Sequence, residues 1–320
     1  MSNNVKKENE LFFSKSSFDM LIKCPLQYHY SKDEHLSEEQ YQLKDKSEWL
    51  ESNEKGTFAH LILQKYVDAY LKGKKNNEIG SFDNESFEKI FDECVKEFEK
   101  NYPIYSMGEA KKFQTECKKS LKQYLEELHE ELKSKDNKWI IAETELNVED
   151  CKHSINIDNF TFEVNYKGII DRIDVCEENG EKIVRIIDYK TGSKDNFAKY
   201  ANAENTSQHH IYKLLAEKNG YEVEEFDYVF IFDDDKKGVE KTLRIEKNEF
   251  EDPISGSSYP RKISANPNDK IVPSSITPSK IIYNVFKKRD YMLDKLDEIK
   301  KEEDRCIFCN YKNICIKRMI

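Results

Sequence analysis

Lys182-Ile-Val-Arg-Ile-Ile-Asp-Tyr-Lys-Thr-Gly192 is an apolar run that ends in an acid, an aromatic residue, a base and a turn. Strand alternation places Val184, Ile186, Asp188 and Lys190 on one face, with Ile183, Arg185, Ile187 and Tyr189 on the other. Asp188 and Lys190 therefore close an otherwise apolar face together. The preceding apolar segment, Gly168-Ile-Ile-Asp-Arg-Ile-Asp-Val-Cys176, puts Ile169, Asp171, Ile173 and Val175 on one face and so brings a second carboxylate to a mostly apolar surface. An ionised group there is costly unless it is paired or binds a metal. Two carboxylates on neighbouring strands beside an ammonium suit a hard divalent cation bound through oxygen. Lys190 then suits positioning or deprotonating an attacking water and stabilising charge on a phosphate. Taken alone, Asp-x-Lys before Thr-Gly is also an ordinary salt-bridged entrance to a turn. Asp174 competes with Asp171 for the ligand role, but alternation sets it on the opposite face beside Arg172, where an ion pair explains it.

Around this pair of strands the chain changes character at about residue 138. KWIIAETELNV, FTFEVNYKG, GIIDRIDVC and KIVRIIDYK follow one another with β-branched residues and period-two alternation, broken by turn signals such as Glu178-Asn179-Gly180. This reads as a strand meander. Before it the pattern is helical. SSFDMLIKCPLQYHY (16–30) has Ser16 and Ser17 as N-cap candidates and is restarted or bent by Pro25 after Cys24. A helix over 56–72 carries His60 and stops at Gly73. Two amphipathic helices follow, one with Phe87, Ile90, Phe91, Cys94, Val95 and Phe98, the other with Phe113, Cys117, Leu121, Leu125, Leu128 and Leu132. After the meander come a helix at about 204–218, strands near 226–233 and 239–245, a Pro- and Ser-rich loop, and a closing helix at about 279–300. The divisions expected are 1–73, 74–135, 136–250, 251–278 and 279–320, all within one integrated domain.

The 320 residues hold 52 Lys plus Arg against 62 Asp plus Glu, a net charge of −10, which argues against a uniformly basic nucleic-acid coat. The charge is unevenly spread, at +4 over 280–320 and −14 before it, so local contact with phosphates remains open. Ten glycines assemble neither a phosphate-cradling loop nor a dinucleotide fingerprint, which excludes nucleotide-driven motors and Rossmann dehydrogenases. The start, MSNNVKKENELFF, lacks a secretory signal, and no long apolar run suits a membrane. A soluble, cytoplasmic protein without membrane contact is expected. Of the eight cysteines, Cys94, Cys117, Cys151 and Cys176 are scattered singly as core thiols. Cys306, Cys309 and Cys315 instead crowd into RCIFCNYKNIC, where a short turn can aim several thiolates at one centre and leaves a tetrahedral site one ligand short.

Gly168-Ile169-Ile170-Asp171 followed by Asp188-Tyr189-Lys190-Thr191-Gly192 resembles the catalytic core of the PD-(D/E)xK nucleases, in their RecB-like branch. SSFDMLIKCPLQYHY resembles that branch's N-terminal segment, Gly56-Thr57-Phe58-Ala59-His60 its Gly-x-x-x-His motif, and Gln208 with Tyr212 its Gln-x-x-x-Tyr motif. The motifs occur in family order and span nearly the whole chain. The resemblance implies an α/β, restriction-endonuclease-like core, a mixed central sheet flanked by helices, with a helical N-terminal region and a C-terminal iron–sulfur clasp.

It implies that Asp171 and Asp188 hold Mg²⁺ or Mn²⁺ with the Tyr189 backbone carbonyl, that His60 is a further ligand, and that Lys190 serves the water. Without the family, a lone His on an apolar helix face reads as a core residue. Gln208 and Tyr212, four apart on one helix face, would contact substrate or steady the metal shell; otherwise they are a partly buried polar pair. Glu143 or Glu145 offers a further carboxylate, and alternation does not choose between them. In iron–sulfur members, such as the CRISPR-associated RecB-like exonucleases and AddB-type subunits, one early cysteine joins three late ones around a four-iron four-sulfur cluster. Here that set is Cys24, Cys306, Cys309 and Cys315, with Zn²⁺ as the rival occupant.

The function expected is a metal-dependent DNA exonuclease acting on DNA ends or single strands in recombination, repair, phage DNA metabolism or CRISPR adaptation. It contains no helicase motif, so unwinding would come from a helicase or recombination partner. Phe12, Phe13, Tyr28 and Tyr30 are candidates to stack bases. The alternative is a non-catalytic DNA-binding or assembly subunit that keeps the nuclease fold and the metal clasp.

Overall fold

The structure is a computed structural model that describes residues 10–36, 48–178, 180–192, 194, 206–232, 242–254, 260–262, 271–273, 277–292 and 309–315. Its centre is a six-stranded mixed sheet. A short first strand, β1 (Glu10–Ser14), which the sequence pattern does not announce, runs parallel to the first half of the long strand β3 (Phe160–Glu178). The two apolar segments around Gly168 are thus one continuous strand. Antiparallel β2 (Ile140–Ile157) lies along one side of β3, and antiparallel β4 (Glu181–Lys190) takes the place of β1 beside its second half. β4 passes through the crossover helix α6 (Gln208–Lys218) to parallel β5 (Glu222–Phe230), and β6 (Thr242–Glu246) closes that edge.

Helices cover both faces. On one lie α1 (Lys15–Lys23), α6 and α7 (Pro278–Ile282), enclosing a core of Phe13, Phe18, Tyr166, Ile186, Ile211, Leu215 and Ile281. On the other lie α3 (Ser52–Tyr70), α4 (Asn84–Asn101) and α5 (Met107–Lys133), with a short α2 (Pro25–Tyr28) following α1. Phe58 of α3 is the hub of this second core: its ring meets Trp49, Phe91, Phe98 and Phe113 at centroid distances of 4.9–5.9 Å. Cys94 and Cys117 line the same core as plain thiols.

Several boundaries differ from those expected. Ser14, not Ser16 or Ser17, caps α1. Its hydroxyl accepts from the Ser17 N–H and its own N–H is taken by the Ser17 hydroxyl, because β1 delivers the chain in extended form up to Ser14. The 16–30 helix stops at Cys24, restarts at Pro25 and ends in a π-helical turn over His29–Asp33. The closing helix is five residues followed by a π-helical turn, Tyr283–Lys287, rather than an unbroken run to 300, most of whose remainder lies outside the described residues. The turn at Asn179 and the segment around Cys306 also lie outside them. The C-terminal segment 309–315 sits against the N-terminal one: Tyr311 packs on Tyr30 at 5.7 Å and donates to the Leu36 carbonyl oxygen. Of the proposed base-stacking aromatics, Phe13 and Tyr28 are core residues, whereas Phe12 is 54% exposed.

The alternation of the sheet shifts phase in the middle. Phe162, Val164, Tyr166 and Ile170 of β3 belong to the first core, yet so do Ile173 and its cross-strand partner Ile186, while Arg172 faces α5. β2 does the same, with Leu146 and Val148 in the first core but Thr144 bonded to Asp68 of α3. The period of two therefore slips by one residue at Glu145 and Asp171. Paired residues flank them, Thr144 with Arg172 and Leu146 with Ile170. Glu145 has a φ of 48°, in the left-handed region that a side chain enters at a cost of about 1–3 kcal/mol. Simple alternation, which set Ile169 and Ile173 on one face, fails here: Ile169 is exposed and Ile173 buried.

Candidate metal centre

The slip delivers Asp171 to α3. His60 stands on α3, whose Gly56 packs close enough to β4 that an added Cβ would lie 3.5 Å from the Thr191 hydroxyl. His60 Nδ1 is 3.5 Å from Asp171 Oδ1 and 3.9 Å from Glu145 Oε1. Its Nε2 donates to the Tyr189 carbonyl oxygen at 3.0 Å. The N–H of Tyr189 donates to Asp171 Oδ2 at 2.7 Å. One ligand atom from each of His60, Glu145 and Asp171 falls within 4.8 Å of the others. Glu145, rather than Glu143, supplies the third carboxylate of the cluster. Glu143 is engaged instead by Lys72 at 3.1 Å.

Asp188 and Lys190 form an ion pair next to this group, and Gln208 bridges them, donating to Asp188 Oδ1 and accepting from Lys190 Nζ at 2.9 Å. Tyr212, one turn further along α6, packs beside Gly168, where an added Cβ would meet its ring at 3.4 Å and Leu215 at 3.0 Å. The structure thus brings His60, Asp171, Asp188, Tyr189, Lys190, Gln208 and Tyr212 to one place. Among the cysteines, Cys24, Cys309 and Cys315 are half-buried, and Cys306 lies outside the described residues.

The electrostatics are those of a crowded anionic cluster. Burial and the neighbouring Asp171 push Glu145 up to about 7, His60 opposing them. Asp188 is raised too, by burial first, against the pull of Lys190. Burial alone would depress the His60 imidazolium, but the hydrogen bond and charge of Asp171, with Asp188 and Glu145, raise it to about 9. Three carboxylates, an imidazole and a backbone carbonyl match the oxygen-rich donor set of a divalent cation, and the carboxylates repel one another until a cation joins them. The residues fit such an ion.

Behind the site lies a buried support of which the sequence shows only an Arg172–Asp174 pair. Arg172 Nε and Nη2 each donate to Asp174 at 2.8 Å, and its Nη1 donates to the hydroxyls of Tyr124 and Tyr189 at 2.9 and 3.0 Å. Arg185 donates to the same Asp174 and to Glu131 of α5. The two guanidinium groups outweigh burial and hold Asp174 below the usual carboxylate range. Tyr189 is thereby fixed at both ends, its ring in the helical core and its peptide at the His60–Asp171 pair. Tyr124, 48 residues upstream of Arg172, carries no sequence signal of this role.

Comparison with known proteins agrees with this geometry. The PD-(D/E)XK nuclease superfamily matches residues 13–316. An ATP-dependent helicase/deoxyribonuclease subunit of Clostridium perfringens (strain SM101 / Type A) is 27% identical over 211 residues, covering 61% of this chain and 17% of that protein. The protein of the same name from Clostridium botulinum (strain Okra / Type B1) is 27% identical over 192 residues, covering 58% and 16%. The chain thus spans about a sixth of the length of these relatives. The crystal structure of SSO0001 aligns over 99% of this chain and 90% of that one, with 13% identity and a TM-score of 0.32, too low to carry an argument.

Proposed function

We propose that this chain, which belongs to the PD-(D/E)XK nuclease superfamily, is a cytoplasmic, divalent-metal-dependent deoxyribonuclease that hydrolyses phosphodiester bonds at DNA ends or in single strands. The observation that carries the reading is the convergence of His60, Glu145 and Asp171 within 4.8 Å, beside the Asp188–Lys190 pair. His60, Glu145, Asp171, Asp188 and the Tyr189 carbonyl would hold Mg²⁺ or Mn²⁺. Such an ion supplies charge neutralisation at the scissile phosphate and a more acidic water. Lys190 holds the attacking water by hydrogen bonding and faces the charge that develops on the phosphate. Gln208 orients Lys190 by accepting from it, and its amide fixes the Asp188 carboxylate. Tyr212, one turn beyond Gln208 on α6, serves as a substrate contact.

The biological setting that suits the chain is recombination, repair, phage DNA metabolism or CRISPR adaptation. The relatives are helicase–nuclease subunits according to their names, and a helicase or recombination partner that opens the duplex would complement this chain. No described helix is long and apolar enough to cross a membrane.

We further infer that Cys24, Cys306, Cys309 and Cys315 hold a four-iron four-sulfur cluster in preference to zinc. Support comes from Tyr311, between two of these cysteines, packing on Tyr30 six residues after Cys24. A cluster there would join the two chain ends across nearly the whole sequence and restrict the unfolded ensemble as a cross-link does.

The test is digestion of end-labelled single- and double-stranded DNA with Mn²⁺, by the wild type and by Asp188→Ala and Lys190→Ala. Cleavage by the wild type alone supports the assignment, and equal cleavage by all three removes it. No cleavage by any, with DNA still bound, makes the chain a non-catalytic DNA-binding component. Iron and zinc analysis of protein prepared without air, with its visible spectrum, decides the cluster: a colourless protein with stoichiometric zinc excludes iron.

A further inference from the structure

Asp19 lies on α1, five residues before Cys24, and has no place in the site described above. The residue is nevertheless buried, 8% exposed, and its Oδ1 accepts from both the N–H, at 3.2 Å, and the hydroxyl of Ser207. Ser207 is the residue that precedes α6 and offers that helix no side-chain cap of its own. The whole entrance to α6, Thr206 through His210, is buried, so its amides have no access to water as an alternative partner. A carboxylate at a helix N-terminus meets both the unpaired N–H groups and the positive end of the helix dipole. Asp19 thus caps α6 from 188 residues away. The next residue of α6 is Gln208, which bridges Asp188 and Lys190.

We propose that Asp19 is a positioning residue for the reaction, setting the angular and axial register of α6 so that the Gln208 amide meets Lys190 and Asp188 together. This rests on the nuclease reading above. Asp19 touches none of the groups that would bind metal, so its removal separates positioning from metal binding. The same bond joins the Cys24-bearing segment to the catalytic lysine: the chain passes from Cys24 back through α1 to Asp19, across to Ser207, and on through Gln208 to Lys190.

The experiment uses the full chain as wild type, Asp19→Ala, Asp19→Asn and Ser207→Ala. Three readings are taken: amide hydrogen exchange of peptides over 206–212 and over α3, Mn²⁺ binding without DNA by electron paramagnetic resonance, and kcat and KM on linear DNA. For Asp19→Ala we expect faster exchange at 206–212 but not in α3, unchanged Mn²⁺ affinity, and a kcat lower by about 10- to 100-fold at similar KM. Asp19→Asn recovers most of kcat, because its amide oxygen still accepts from Ser207. Ser207→Ala keeps the N–H and falls between.

A kcat for Asp19→Ala equal to that of the wild type overturns the proposal. So does a loss of kcat that comes with lost Mn²⁺ binding and faster exchange in α3, which is general destabilisation. If Asp19→Ala does not fold, a kcat for Ser207→Ala matching the wild type overturns it equally. A wild-type chain that cuts no DNA sinks the nuclease reading instead, while the exchange comparison still decides whether Asp19 holds the end of α6.

Discussion

The peptide N–H of Tyr189 donates to Asp171 Oδ2 at 2.7 Å, just beyond Arg172 and Ile187, the last paired residues of β3 and β4. A ladder hydrogen bond is replaced there by a side-chain one, and the carboxylate that results is held rigidly with its other oxygen toward His60. Asp171→Asn keeps an oxygen for that N–H and removes the charge. We expect Mn²⁺ affinity and DNA cleavage to fall by about 100-fold or more, with little change in thermal unfolding. Binding and melting measured on one preparation check both halves; a large drop in Tm would mean that Asp171 serves the fold.

Without a cation the cluster makes stability depend on pH. Glu145 is raised to about 7 from the ordinary range near 4.5, so it binds its proton more tightly when folded. The stability this gives is present below pH 4.5 and is lost as pH rises towards 7. His60, raised to about 9 from 6.5, gives stability that is full below 6.5 and is lost as pH rises through 9. Both effects lower Tm between pH 5 and 9. Saturating Mg²⁺ or Mn²⁺ should flatten the dependence, and Glu145→Gln should raise the metal-free Tm at pH 8. A metal-free Tm that climbs across this range contradicts the assignment.

Asp174 carries two guanidinium groups, Arg172 and Arg185, while being fully buried. Asp174→Ala takes the carboxylate from the desolvated Arg172 and leaves Arg185 with Glu131 and Asp227, which should cost about 3–5 kcal/mol. Tyr189 loses the Arg172 bond that anchors its ring once Arg172 is free to turn. Chemical denaturation measures the loss. A change under about 1 kcal/mol would place the pair with solvated surface bridges instead.

Gly168 carries no side chain where α6 crosses β3, and an added Cβ would meet Leu215 at 3.0 Å and Tyr212 at 3.4 Å. Gly168→Ala should therefore push α6 outward at a cost of about 1–3 kcal/mol. Because Tyr212 and Gln208 share that helix, kcat should fall with metal binding intact. Unchanged turnover would show that α6 has slack the packing does not reveal.

Much of this was legible in the sequence. A succession of strands between amphipathic helices follows from β-branched alternation, the mixed sheet they form is implied by the family resemblance, and Asp171, Asp188, Lys190, Gln208 and His60 stand out by residue type, spacing and that same resemblance. What escaped has a common cause: it depends on where the chain meets itself. Alternation treats a strand as keeping one phase throughout, so it could not choose Glu145 over Glu143 or see the phase shift at Asp171. Propensity sees local caps, so it offered Ser16 and Ser17, just past a β1 it did not anticipate, and had no means of finding Asp19 at the end of α6. Arg172 and Tyr124 meet only because α5 lies over β3.

The phase shift in β2 and β3 has one more consequence, for timing. Because the alternation shifts phase at Glu145 and Asp171, the two carboxylates turn towards α3, so His60 reaches them from one face of the sheet while Gln208 reaches Asp188 from the opposite one. Neither half of the molecule holds a working centre by itself. On the nuclease reading, a chain emerging from the ribosome has His60, Glu145, Asp171 and Asp188 in hand, yet lacks Gln208 until α6 arrives and docks. For the nuclease proposed above, the architecture thereby withholds hydrolytic power from an unfinished molecule.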